Sequence, residues 1–190
     1  MVGTPLRLTT LGLAAVLLLG AGCKDAGDDI ETAPTTSITA RTAATLPSRA
    51  TTTVASPEGV ETFPVEPSHT NDPVMYPQTP PVGGPHNPTW ELCAFRDRPV
   101  PAEMAVHSLE HGAIWVTYRP DLPADQVDAL ARLARGRSDM LVSRWDQGLP
   151  SPVVVSSWGR QLRLPSATDP RLLQFAQAFS GQAPEPNGPC

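Results

Sequence analysis

The feature that most limits the fold of this chain is a long segment with almost no bulky apolar side chains. Residues 23–63 are dominated by Thr, Ala, Ser and Pro, as in the stretch ETAPTTSITARTAATLPSRATTTVASPEG. Such a composition cannot bury enough surface to offset the entropy that ordering would cost. We therefore predict a disordered tether over residues 23–63 and a single folded domain over residues 64–190.

The segment before the tether has the pattern of an export signal. Arg7 is followed by the apolar run LGLAAVLLLGAG, which ends at Cys23. A basic start, a short apolar run and small residues are typical of signal peptides, and the run is shorter than the roughly 20 residues of a transmembrane helix. The small residues before Cys23 favour a lipoprotein signal peptide over residues 1–22, with an ordinary secretory peptide as the alternative. Lipid on Cys23 would anchor the domain to the extracytoplasmic side of a bacterial membrane, at the cell envelope.

The charge balance bears on the class of partner. The formal net charge is −5 at pH 7, and Lys and Arg form no cluster. Nucleic-acid-binding domains normally carry a basic patch that neutralises phosphates. We therefore expect no nucleic-acid partner; the partner indicated is the membrane, through lipid on Cys23.

The cysteines are consistent with an oxidising compartment. If Cys23 carries lipid, Cys93 and Cys190 remain as a pair, and an even pair in an exported domain is most simply a disulfide. Such a bridge would hold the proline-rich C-terminal tail against the domain. The alternative is that Cys93 is a thiolate metal ligand.

The folded part reads as alternating helices and strands after an irregular start. Residues 66–88 are rich in Pro, Gly and Asn and show no period of 2 or 3.6. The predicted elements are a helix over 101–112, strands over 113–118 and 140–145, a helix over 123–136, a hairpin or bent strand over 153–164, and a helix ending at 179. This order predicts one small α+β domain, with a mixed sheet of three to four strands and two to three helices on one face.

Four blocks of sequence resemble a known bacterial family. They are PPVGGPHNPTW, VHSLEHGAIWVTYRPDLP, SSWGRQLRLP and FSGQAPEP, in this order over residues 66–190. Together they resemble exported or membrane-anchored proteins catalogued as domain of unknown function 3105. The resemblance implies no activity, but it draws attention to the Gly-Gly-Pro-His turn at 83–86, the His-Ser-Leu-Glu-His block at 107–111 and the Trp-Gly pair at 158–159.

The four histidines are the strongest candidates for chemistry. His107 and His111 are four residues apart and share one face of a helix, where both can bind one metal ion. His86 lies in a glycine-containing turn that can bend closely around a ligand, and His69 is a further candidate. Imidazole ligands suit copper or zinc, and a fourth ligand would come from His69, Glu110, Met104 or water. The main hypothesis is a metal-binding module of the cell envelope, rather than an enzyme.

Two other hypotheses remain open at this stage. The His-x-x-Glu-His spacing occurs in some zinc peptidases, which makes a small metal-dependent hydrolase or oxidoreductase with Glu110 as the base a candidate. Glu110 would otherwise orient a histidine ligand or pair with an arginine such as Arg119 or Arg160. The third hypothesis is a metal-free interaction domain in which the histidines and tryptophans only pack.

Overall fold

The structure is a computed structural model that describes residues 54–190. The predicted signal peptide, the lipidation site Cys23 and most of the predicted tether lie outside the described residues. The elements in chain order are β1 (Glu61–Thr62), β2 (Ser68–His69), β3 (Pro85–His86), β4 (Phe95–Arg96), α1 (Ala102–Glu110), β5 (Ile114–Tyr118), α2 (Ala124–Arg135), β6 (Met140–Arg144), β7 (Val153–Ser157), β8 (Arg160–Leu164) and α3 (Arg171–Phe179).

A mixed six-stranded sheet forms the centre of the domain, in the order β1-β8-β7-β5-β6-β4. Strands β5, β6 and β4 run parallel to one another, whereas β7 pairs antiparallel with both β5 and β8. The α+β class is confirmed, but the sheet has six strands rather than the predicted three to four. The two additional strands, β1 and β4, have two residues each and lie at the sheet edges. No periodicity can be read from two residues. Strand β1 also falls within the range assigned to the tether.

The sheet is covered on both faces, so the expectation of helices on one face was wrong. All five residues of β5 are buried. Ile114, Val116 and Tyr118 pack with α2 and α3 on what we call the α2–α3 face. Trp115 packs against Val106 and other residues of α1 on the opposite face. A strand that is buried at every position needs cover on both sides, and β5 is such a strand.

The irregular stretch expected over residues 66–88 contains a second, two-stranded sheet. Strands β2 and β3 pair in parallel with His69 opposite His86. The turn before β3 depends on Gly84, whose φ of +108° is unfavourable for other residues. The pairing brings two histidines together from positions that are far apart in sequence.

The C-terminal segment returns to the end of α1. The Gly181 N–H donates to Gly112 O at 2.9 Å, and the Glu185 N–H donates to Glu110 O at 3.0 Å. Gly112 has a φ of +93°, and a Cβ there would lie 2.7 Å from Gly181 Cα. The predicted disulfide is confirmed, since Cys93 and Cys190 are bonded. Its loop spans 97 residues, and closing a loop of this length stabilises a domain by about 4–5 kcal/mol in the chain-entropy model.

The helices of the described residues are all shorter than a membrane span. The longest, α2, has 12 residues, and none within residues 54–190 combines the length and apolar character needed to cross a bilayer.

Candidate metal centre

Five titratable side chains meet where the small sheet, α1 and the C-terminal segment come together. They are His69 on β2, His86 on β3, His107 and Glu110 on α1, and His111 at the end of α1. All except His69 are buried, with exposed fractions between 0 and 9%. His69 has a side chain that is 49% exposed. The cluster is therefore inside the domain but opens to solvent at one histidine, His69.

Helix α1 supplies three of these groups because of its spacing. His107 and His111 are one turn apart, and their rings lie 4.5 Å from centroid to centroid. Glu110 is three residues after His107, so its carboxylate lies on the same side of the helix. The shared face predicted for the two histidines is present, and the glutamate belongs to it.

Each buried histidine donates its Nδ1–H group to a backbone carbonyl oxygen. A carbonyl oxygen can only accept, so the ring hydrogen must be on Nδ1. The contacts measure 2.8 Å from His86 to Gly84 O, 2.7 Å from His107 to Asn87 O, and 2.6 Å from His111 to Pro189 O. In the neutral rings the Nε2 atoms then carry lone pairs. Metal-binding histidines are oriented by such bonds at the other ring nitrogen.

The lone pairs converge on one another and on the Glu110 carboxylate. His107 Nε2 lies 3.0 Å from His111 Nε2, and His86 Nε2 lies 2.9 Å from Glu110 Oε2. His69 Nε2 lies 3.6 Å from the same oxygen. In the first two contacts, acceptor faces acceptor when the rings are neutral and the carboxylate is ionised. Each short contact therefore requires a positive charge between its partners, either a proton or a metal cation.

The cluster has dimensions that suit one metal ion. His69, His86, His107 and Glu110 each offer one ligand atom, and these atoms all lie within 4.8 Å of one another. Nitrogen and oxygen ligands bind zinc at about 2.0–2.2 Å in a tetrahedral arrangement, so two ligands of one ion are about 3.3–3.6 Å apart. The most widely separated of the four atoms would therefore approach each other by about 1 Å on binding one ion.

The electrostatic environment of His107 favours the neutral form of its ring. Burial lowers the pKa of His107, and the neighbouring His111, His86 and His69 lower it further, against the hydrogen bond to Asn87, which raises it. The neutral ring is thus favoured, and a neutral imidazole is what a metal ion binds.

The structure brings all the sequence-predicted histidines together, but their roles differ from one another. The four ligand atoms that meet include Glu110 and His69. His111 is outside that group; its Nε2 contacts His107 Nε2 and lies 3.9 Å from Glu185 Oε2.

Glu110 has histidine neighbours rather than arginine partners. The considered arginines are engaged elsewhere: Arg119 pairs with Asp121, and the Arg160 guanidinium lies over the Phe179 ring. The Cys93 thiolate is also excluded as a ligand, because Cys93 is in the disulfide.

Aromatic rings surround the histidines. Trp158 meets His86 edge to face at 5.9 Å, and Trp90 lies beside His107 and His111 at 5.8 and 5.6 Å between centroids. Met75, whose thioether would be a soft ligand for copper, is 96% exposed, so its side chain is turned to solvent.

The sequence did not predict two features of the site: the pairing of β2 with β3 and the backbone carbonyl that holds His111. The parallel pairing that places His69 opposite His86 involves strands of two residues, for which no pattern exists. The Pro189 carbonyl that holds His111 is a backbone group, which any residue would supply. The one available signal was the distribution of histidines, which are confined to residues 69–111.

A family model described as "Protein of unknown function (DUF3105)" matches residues 68–190. Neither the curated proteins nor the solved structures with which the chain was compared gave a match. The family match covers almost all of the described residues, including every member of the cluster.

Proposed function

The chain belongs to the DUF3105 family, and since that description assigns no activity, we propose from the site geometry that the domain binds one transition-metal ion, zinc or copper. His86, His107, His69 and Glu110 would be the ligands, with His111 beside them. The observation that carries the proposal is the orientation of the buried histidines. Their Nδ1–H groups are held by carbonyl oxygens, and their Nε2 lone pairs face other acceptors at 2.9 and 3.0 Å.

The choice of metal follows from the ligand types. Three imidazoles and one carboxylate suit zinc and copper, whereas Ca²⁺ and Mg²⁺ prefer sites made of oxygen ligands. One metal cation bound to His86, His107 and Glu110 would take the place of the proton in the His86–Glu110 contact, and its charge would lie beside the His107–His111 contact. The half-exposed His69 gives the ion a route to and from solvent.

The setting of this activity is proposed on the sequence. We place the domain at the bacterial cell envelope, anchored to the extracytoplasmic side of the membrane by lipid on Cys23, with metal handling or sensing as its role. The disulfide supports an oxidising compartment, since such bonds are rare in the cytosol.

The first test is metal content and titration on the full-length chain. We expect about one equivalent of zinc or copper per chain by mass spectrometry or on titration, and none in a His86→Ala/His107→Ala variant. A matched pair of carboxylate variants sharpens the test. Glu110→Gln should lose the metal, whereas Glu91→Gln should keep it, because Glu91 pairs with Arg96 outside the cluster. A wild-type chain that binds neither ion would contradict the proposal and leave a metal-free domain.

A further inference from the structure

The last six residues of the chain lie against the cluster. We call residues 185–190 the C-terminal strap. The Pro189 carbonyl accepts the His111 Nδ1–H, and the Glu185 N–H donates to Glu110 O. The strap backbone at Gly188 is so close to the His111 ring that an added Cβ would overlap the ring's Cγ and Cδ2 atoms. The strap therefore sets the position of the His111 ring and contacts the backbone of Glu110.

The strap has little else to hold it. Residues 185–190 contain no helix or strand, and most of them are exposed. Their sequence, EPNGPC, has no large apolar side chain to bury. Ordering six residues of this kind is opposed by the loss of their backbone entropy. Cys93 packs against the apolar cluster that contains Val106 and Trp115, and the covalent bond from Cys190 to Cys93 offsets that loss.

A surface cleft has Cys93, but not Cys190, in its wall. It has a volume of about 540 Å³ and is lined by Cys93, Arg135 and Arg137, among others. Arg137 is paired with Asp139, but Arg135 is exposed and adds positive charge to the wall. Positive charge favours the thiolate form of cysteine and attracts an anionic thiol, and both effects speed thiol–disulfide exchange.

We propose that the Cys93–Cys190 disulfide is a reducible latch on the metal site, opened by a dithiol reductant. A thiolate of the reductant attacks Cys93 Sγ from the cleft, and the sulfur–sulfur bond breaks with Cys190 as the leaving thiolate. The second thiol of the reductant then attacks the mixed disulfide and releases Cys93. In total two electrons and two protons pass to the protein, which ends with two thiols, and the reductant becomes a disulfide.

Reduction of the disulfide would weaken metal binding because His111, which contacts the proposed ligand His107, would no longer be held in place. The freed strap removes the Pro189 carbonyl from His111 Nδ1, so the ring 3.0 Å from His107 loses its orientation. Loss of a group that orients residues at a metal site lowers affinity by about 10–100-fold. This inference rests on the proposed metal binding. It adds that the affinity differs between the disulfide and dithiol forms of the protein.

The test compares zinc affinity in three forms of the full-length chain. The first is oxidised wild type. The second is wild type reduced with dithiothreitol, alkylated with iodoacetamide and freed of reagent, so that no thiol can bind zinc. The third is Cys93→Ala/Cys190→Ala. The dissociation constant for zinc should rise about 10–100-fold in the second and third forms relative to the first, while circular dichroism shows a folded domain in all three.

A His111→Ala background separates the latch from a general structural effect. If the strap acts through His111, opening the disulfide in this background should leave the zinc affinity unchanged. An equal loss with and without His111, an unchanged affinity on opening the disulfide, or unfolding of the whole domain on reduction would each overturn the proposal. Failure of the oxidised wild type to bind zinc is a different result, because it overturns the proposed function itself.

Discussion

Helices α1 and α3 have nine residues each, yet they bury different chemistry. The buried residues of α3 are all apolar: Leu172, Phe175, Ala176, Ala178 and Phe179. The buried residues of α1 include His107, Ser108 and Glu110 beside Ala105, Val106 and Leu109. One side of α3 faces the sheet and the rest faces water. Helix α1 has the sheet on one side, while its polar side is covered by the small sheet and the strap.

The comparison shows that burial of apolar side chains and burial of polar side chains have opposite effects on stability. Apolar burial on α3 stabilises the fold directly, by about 1.5–3 kcal/mol for each large side chain. Burial of histidine and glutamate on α1 removes groups from water that water solvates well, and this costs free energy unless partners replace the water. Backbone carbonyls satisfy one nitrogen of each buried ring. The other nitrogens face acceptors, and the proposed metal cation would be the partner of His86 and His107.

The largest effect is expected on α3. Phe175 is fully buried, so Phe175→Ala should lower the free energy of unfolding by about 3–5 kcal/mol. Zinc stoichiometry per folded chain should stay the same, because Phe175 is on the α2–α3 face. Denaturant unfolding and zinc titration of the same samples measure both quantities. If Phe175→Ala remains folded but loses zinc binding, the division between a stabilising α3 and a metal-binding α1 is wrong.

The second effect is expected on α1, and it appears in binding. His107→Ala should weaken zinc binding by 100-fold or more, about 2.7 kcal/mol, since one imidazole ligand is removed. Zinc should then no longer raise the melting temperature, as it does when it binds only the folded state. Gln177→Ala, on the exposed side of α3, is the control and should behave like wild type.

A smaller effect is expected for Asp139, whose carboxylate accepts a hydrogen bond from Ser180 at the end of α3. We expect its substitution to change stability but not zinc binding. Burial would raise the pKa of Asp139, but hydrogen bonds from Arg137 and Ser180 outweigh this and lower it. Asp139→Asn should therefore cost roughly 1–2 kcal/mol at pH 7. A lowered pKa in the folded state means that this stabilisation is present above the pKa of the unfolded chain, near 3.8, and is lost as the pH falls through the folded value.

Denaturant unfolding of wild type and Asp139→Asn between pH 7 and pH 2.5 measures that dependence. The two curves should approach each other below about pH 4. A gap that stays constant across this range would show that the carboxylate charge is not the cause. Zinc binding at pH 7 should be the same in both proteins.

The smallest effect is expected at the exposed ligand. His69 lies on a two-residue strand with half its side chain in solvent, so water can replace it with little rearrangement. His69→Ala should weaken zinc binding by about 10-fold, or 1.4 kcal/mol, and speed the release of zinc to a chelator. An effect as large as that of His107→Ala would indicate that exposure does not rank the ligands.

The parts of the fold that a sequence can predict are those with a repeating pattern. The period of apolar residues gave α2 and α3, and the shared face of His107 and His111 followed from their spacing. The residues that complete the site follow no such rule. His69 reaches the cluster through a two-residue pairing, and the carbonyls of Gly84, Asn87 and Pro189 act as backbone, whose position depends on the whole fold.

The most direct test of the metal site is the protonation of its histidine rings, measured by long-range nitrogen–hydrogen correlation NMR. In the metal-free protein, the hydrogens of His86 and His107 should be found on Nδ1. One equivalent of zinc should shift the Nε2 resonances of these two rings and of His69 into the metal-bound range, while the Nδ1 hydrogens persist. Hydrogens on Nε2 that zinc does not displace would contradict the account, and the cluster would then be a hydrogen-bonded element of a metal-free domain.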